Sequence, residues 1–209
     1  MEQSRDYFND IAEDWDAMRT SFFSEEVREV AYTLADVQNG KTAADIGAGT
    51  GFITEGLLKA GLQVIAIDQS ENMLDNMKLK YKDYASLSCV QGDSDALPLD
   101  DQSVDYAFAN MFLHHVVDPY IAIKEAYRIL QPGGKLVITD LDEHHFTFLQ
   151  TEQHDIWMGF DRSQVMKWFQ EAGFVDVSVS GVGCNCCSDS EGSDEKASVS
   201  IFAAYGVKK

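Results

Sequence analysis

Ala43-Ala44-Asp45-Ile46-Gly47-Ala48-Gly49-Thr50-Gly51 is the stretch whose reading decides the fold. Small apolar residues run into a carboxylate, and three glycines follow at alternate positions. A strand ending in such a run can turn sharply and let backbone approach a ligand with no Cβ in the way. The helix that starts near Gly51 points its first N–H groups back at that ligand. The pattern predicts a nucleotide crevice at the carboxyl end of a first parallel strand.

The spacing is G-x-G-x-G, with Phe52 where a dinucleotide-binding loop needs its third glycine. Asp45 stands two residues before the first glycine, where it would repel a pyrophosphate and attract an ammonium or sulfonium. The next apolar run, Val64-Ile65-Ala66-Ile67, ends in Asp68, placed to accept hydrogen bonds from ribose hydroxyls. An adenosine with a cationic amino-acid tail fits these features, and S-adenosyl-L-methionine is the cofactor they predict.

Five pieces in order carry a resemblance: D-I-G-A-G-T-G at 45–51, V-I-A-I-D at 64–68, G-D-S-D-A-L-P at 92–98, V-D-Y-A-F-A-N-M-F-L-H-H at 104–115 and L-Q-P-G-G-K-L at 130–136. With them the chain resembles the class I S-adenosylmethionine-dependent methyltransferases, of the group that includes the ubiquinone and menaquinone methyltransferases. The resemblance implies a Rossmann-like, mostly parallel seven-stranded sheet closed by a C-terminal antiparallel hairpin. It also implies an N-terminal lid over the site, and an adenine contact from Asp93 and the following Ser94.

Local patterns agree with a doubly wound α/β fold. Strands are predicted at 42–46, 63–67, 86–91, 104–109 and 134–139, with helices at 52–60, 70–83 and 119–130 between them. Asp118-Pro119 is a helix start, and Gln131-Pro132-Gly133-Gly134 a stop and turn. Asp161-Arg162-Ser163-Gln164 caps a helix that Gly173 ends, and late strands at 174–180 and 198–206 read as the hairpin. We expect residues 1–209 to form a single methyltransferase domain. Residues 1–37 would be a helical lid, with helices over 4–20 and 24–37, and 141–160 a substrate-side insertion.

Strand ends in such sheets hold the ligand. Gly47, Gly49 and Gly51 would pass beneath the methionine part, Asp68 would hold the ribose, and Gln69 would follow beside the adenine. Met73 can pack on the adenine or serve the core. Asn110 offers an amide or a backbone carbonyl to the methionine ammonium. Arg19 can pair with the methionine carboxylate or cap its helix. Of His114 and His115, one should face the pocket and the other be structural.

Methyl transfer from a sulfonium is an in-line displacement in which the cofactor supplies the electrophile. The protein must hold the nucleophile and exclude water, adding a base only for a protonated acceptor. His115, His144 and His154 are the candidate catalytic bases, with His145 beside them. Tyr7, Trp15 and Trp157 are candidate substrate contacts, pointing with Phe8, Phe148 and Phe160 to an apolar or aromatic small-molecule acceptor.

Charge narrows the partners. Of 209 residues, 35 are acidic and 16 basic, a formal net of −19. Nucleic acid and anionic membrane surfaces are bound by neutralising phosphates, which such a chain does poorly. The start, Met1 to Asp6, has no apolar signal core, so a cytoplasmic location is expected, without membrane insertion.

Cys184, Cys186 and Cys187 fall within four residues and match neither a disulfide framework nor paired C-x-x-C zinc ligands. Three thiolates suit a soft ion, so a metalloid methyltransferase of the arsenite kind is one alternative function; incidental cysteines in a mobile loop over 183–197 are the other reading. A non-catalytic S-adenosylmethionine-binding sensor is a further alternative, since no substrate-specific catalytic motif stands out.

Overall fold

The computed structural model describes residues 2–190 and 192–209. Three helices, α1 (Glu2–Asp10), α2 (Trp15–Phe22) and α3 (Glu26–Ala35), precede the sheet. The alternation then runs β1 (Thr42–Ile46), α4 (Phe52–Lys59), β2 (Gln63–Asp68), α5 (Glu71–Lys80), β3 (Leu87–Gln91) and β4 (Val104–Asn110). It continues through a short 3-10 turn at Leu113–His115 to α6 (Pro119–Ile129), β5 (Leu130–Leu141), α7 (Phe148–Glu152), α8 (Arg162–Ala172), β6 (Phe174–Asp189) and β7 (Lys196–Lys208).

The seven strands form one sheet in the order β3-β2-β1-β4-β5-β7-β6. The first five strands pair in parallel, while β7 is antiparallel to both β5 and β6. The order reverses between β1 and β4, which opens the crevice above their carboxyl ends.

Strand alternation divides the core into two layers. Along β4, Tyr106 and Phe108 face one side, with Ala43, Val64 and the helices α3 and α4, while Ala107 and Ala109 face the other, with Ile123 and Phe169 of α6 and α8. Phe108, Phe169 and Phe202 are fully buried, and cutting any of them to alanine would cost roughly 3–5 kcal/mol.

The helix starts follow the capping residues. Asp118 accepts from the N–H groups of Tyr120 and Ile121, and Asp161 from those of Ser163 and Gln164. At the start of α3 neither Ser24 nor Glu25 supplies a side-chain cap, and the helix ends early at Asp36, which takes a left-handed conformation (φ 51°).

Two expectations are corrected. The helix expected over 4–20 is broken at residues 11–14 into α1 and α2. The break brings Phe8 and Trp15 edge-to-face at 5.5 Å, a contact that residues seven apart on a straight helix do not make. The loop expected over 183–197 is strand as far as Asp189. Cys186 pairs with Val199 and Cys187 with Ser198, after a bulge between Gly181 and Asn185. Polar composition hid a period of two: Val182, Cys184, Cys186 and Ser188 turn inward, while Gly183, Asn185, Cys187 and Asp189 are exposed. The expected loop also included Glu191, which lies outside the described residues. Among those residues, no helix is long and apolar enough to cross a membrane.

Candidate active site

The carboxyl ends of β1 to β4 open onto one cavity of about 320 Å³. Gly47, Gly49, Asp68, Gln69, Met73, Asp93, Ser94 and Asn110 line it, as the sequence led us to expect. Gly47 has a φ of +67°, and a Cβ there would stand 2.1 Å from the Phe112 ring, so only glycine fits the turn. Asp68 accepts from the Gly49 and Ser70 N–H groups, each at 2.8 Å, which fixes its carboxylate at the cavity rim. Burial raises its pKa against those bonds. Asn110 accepts from the Thr139 hydroxyl at 2.8 Å, so its side-chain oxygen is already engaged.

Asp45 and Gly51 do not border the cavity. Asp45 is buried beneath α4 and accepts from both the N–H and the hydroxyl of Thr54, at 3.0 and 2.7 Å. It therefore anchors the first turn of α4 to β1, and its charge is not turned toward a sulfonium. Burial pushes its pKa up to about 7, against the Thr54 hydrogen bonds. Gly51 (φ +96°) caps α4, with Tyr81 where a Cβ would go.

The N-terminal helices cover the cavity. Asp16 of α2 accepts from the Thr50 hydroxyl and from Lys80, both at 2.5 Å. Asn9 of α1 accepts from Ser70 at 2.7 Å, and Trp15 lies over Gly49. Phe8, Trp15, Arg19 and Phe23 thereby become walls. Arg19 stacks on Phe52 at 4.3 Å and pairs with Glu25 at 3.2 Å, yet its Nε is buried without a partner. A guanidinium with an unmet donor in this wall fits a carboxylate. Arg19 also stands in the last turn of α2, as the helix-end alternative expects.

A second chamber of about 60 Å³ adjoins the first. The two share Phe8, Trp15, Phe23, Met111 and His115. Leu141, Leu149 and Val199 continue its apolar wall; His114, Gln153, Asp155, Cys186 and Ser188 make its polar side. The pattern around 141–160 gave no sign of Asp155, because an isolated carboxylate in an aperiodic segment carries no signal of its own.

The histidines separate. His114 is buried, its Nδ1 2.6 Å from Asp140. Burial works to lower its pKa, but the charges of Asp140 and Asp155 and the hydrogen bond outweigh it and carry it up to about 9. His115 borders both cavities, and burial followed by the neighbouring His114 holds its pKa well below the usual value. His144 and His154 border neither cavity. His144 is buried against Phe146, with its pKa lowered first by burial, and His154 (φ 59°) packs on the Tyr7 ring at 4.6 Å. His145 also lies outside both.

Of the substrate candidates, Trp15 lines both cavities. Tyr7 lies outside the lining and donates to Gln153 at 3.1 Å, which itself lines the chamber. Trp157 also lies outside, donating from Nε1 to the Val116 carbonyl at 2.9 Å. The three thiols do not converge: Cys184 and Cys186 face inward and Cys187 outward. Burial, ahead of the nearby acidic groups, pushes the Cys186 pKa up to about 12, so its thiol stays protonated. The soft-metal reading of the cluster is thereby set aside.

A methyltransferase-domain family matches residues 44–138, the segment that builds the cofactor cavity. The demethylmenaquinone methyltransferase of Staphylococcus epidermidis is 34% identical, the match covering 85% of this chain and 87% of that protein. The chain belongs to the methyltransferase family. The cavity described above is lined by residues expected to hold S-adenosyl-L-methionine. The chloroplastic 2-methyl-6-phytyl-1,4-hydroquinone methyltransferase of Spinacia oleracea is also 34% identical, over 77% of this methyltransferase and 47% of the plant protein. The chain thus spans about half the length of the plant relatives it matches. In architecture it is similar to an S-adenosylmethionine-dependent methyltransferase from Thermotoga maritima, with a TM-score of 0.71 at 22% identity and 100% of both chains covered.

Proposed function

We propose that this chain transfers the methyl group of S-adenosylmethionine to a small hydroxylated aromatic acceptor whose reacting edge enters the second chamber. The sharing of Phe8, Trp15, Phe23, Met111 and His115 by both cavities carries this reading. It supports a sulfonium methyl and an acceptor atom meeting across one set of walls, away from water. Apolar and aromatic side chains suit a ring, and the two relatives named above are methyltransferases of quinone-type compounds. A small acceptor rather than nucleic acid also suits a net charge of −19.

The roles then follow. Asp68 would hold the ribose, Asp93 and Ser94 the adenine edge, Arg19 the methionine carboxylate, and the backbone at Asn110 the ammonium. The helices α1 and α2 would act as the lid. His115 places its ring at the junction where transfer would take place.

The test is release of S-adenosylhomocysteine on incubation with S-adenosylmethionine and a panel of short-chain benzoquinols and naphthoquinols. Turnover with a quinol is the expected result. Tight S-adenosylhomocysteine binding without turnover of any hydroxylated aromatic would overturn this reading and leave a non-catalytic binder.

A further inference from the structure

Behind His115 lies a buried group of polar side chains that cofactor binding does not use. Asp140, at the end of β5, is saturated: it accepts from His114 Nδ1 at 2.6 Å and from the N–H groups of Leu113 and Leu141, each at 2.7 Å. These bonds lock the His114 ring so that its other nitrogen, Nε2, faces Asp155 at 3.8 Å. His115 Nδ1 faces the same Asp155 oxygen at 3.9 Å. All three ligand atoms lie within 4.8 Å of one another.

Neither contact with Asp155 is a hydrogen bond, since both exceed the usual limit. The one bond at His115 Nδ1 is loose, 3.4 Å from the His154 carbonyl. Two carboxylates are buried here, Asp140 and Asp155, and buried charge needs a compensating charge. A divalent ion that displaces the His114 Nε2 proton to solvent would supply both positive charges at once.

We propose that His114 Nε2, His115 Nδ1 and Asp155 bind a first-row divalent transition cation, with Asp140 orienting His114 from behind. Two imidazoles and a carboxylate favour such a cation over magnesium or calcium. A carboxylate bonded to the far nitrogen of a ligating histidine is the usual support of such sites. Metal–ligand bonds of about 2.0–2.2 Å would draw the three atoms together from separations of up to 4.8 Å. All three residues also line the second chamber, so the remaining coordination positions open into it.

The role assigned to the cation rests on the proposed function, whereas its binding does not. An acceptor hydroxyl that replaces a metal-bound water would ionise at neutral pH: the O–H bond breaks, the electron pair stays on oxygen and the proton passes to solvent. The site thus selects acceptors bearing a hydroxyl beside the methylated position.

Cobalt(II) added to the chelator-treated full chain, without acceptor, tests the site. Stoichiometric binding with visible d–d absorption is expected, weakened more than about tenfold in Asp155→Asn and in His115→Gln. Retained S-adenosylhomocysteine binding in Asp155→Asn shows that this variant is folded, and Cys186→Ser should leave the spectrum unchanged. Absence of stoichiometric binding, equal binding by both variants, or a sulfur-to-cobalt charge-transfer band lost in Cys186→Ser would overturn the site. Full turnover by metal-free protein would overturn the cation's role while leaving methyl transfer intact.

Discussion

Thr50, between the second and third glycines of the β1–α4 loop, donates its hydroxyl to Asp16 of α2 at 2.5 Å. The loop that lines the cavity is therefore tied to the helix that covers it. Lys80 reaches the other oxygen of the same carboxylate, so Asp16 joins α2 to α5 as well. Its partial exposure limits the contribution to about 1 kcal/mol, near a fivefold effect. Asp16→Ala should speed S-adenosylhomocysteine release by about that factor and increase amide exchange over 15–22. Unchanged release, by stopped-flow displacement, would show that α2 closes without this tie.

Arg19 and Asp68 should be separable by ligand choice. A charge-assisted hydrogen bond contributes about 1.5–3 kcal/mol, so Arg19→Ala should weaken S-adenosylhomocysteine binding about ten- to hundredfold. Binding of 5′-methylthioadenosine, which has no carboxylate, should hardly change. Equal loss for the two ligands by calorimetry would make Arg19 a wall residue rather than a carboxylate ligand.

Asp68→Ala should weaken both ligands, since both carry the ribose. The loss should exceed about tenfold, because the variant also frees the Gly49 and Ser70 N–H groups. An unaffected 5′-methylthioadenosine affinity would argue that the ribose is held elsewhere.

Asp45 predicts a pH dependence of folding. Its folded-state pKa is raised to about 7 by burial, so the protonated form is the one the fold prefers. For a raised carboxyl pKa the stabilisation is full below the unfolded value, near 3.8, and declines as pH rises through the folded one. Stability of the native chain relative to Asp45→Asn should therefore fall between about pH 4 and about pH 7 and then level off. Urea unfolding at a series of pH values measures it, and a flat difference would contradict the burial of Asp45.

The two adjacent thiols should react unequally. Cys187 is exposed, while Cys186 is partly buried against the core with its pKa pushed up to about 12. Alkylation followed by peptide mass mapping should modify Cys187 first and Cys186 only slowly. Equal rates would return this segment to a loose loop.

The cofactor half was legible because its residues act through backbone geometry and strand position. Gly47, Asp68, Asp93 and Asn110 stand at strand ends, and strand ends follow from periodicity alone. Asp45 misled because the same carboxylate that could face a sulfonium can also cap the next helix, and the Thr54 hydroxyl that decides between these lies nine residues on. The chamber was hardly legible. Asp155 meets His114 and His115 only through tertiary contacts, and the inward turn of Cys186 depends on a bulge that composition does not announce. Arg19 was visible as a candidate, but its unmet Nε required the closed position of α2.

Among the residues that enclose the second chamber, Met111, His114 and His115 lie within the matched segment 44–138, and the others come from before or after it. Most of the lining of the proposed acceptor chamber thus lies outside the segment that supplies most of the first cavity. The same division has a kinetic side. The Tyr7–Gln153 bond joins residues 146 apart in sequence, so the roof of the chamber closes only after the intervening chain has found its place. A nascent polypeptide could therefore hold its cofactor crevice well before it has any compartment in which to use it.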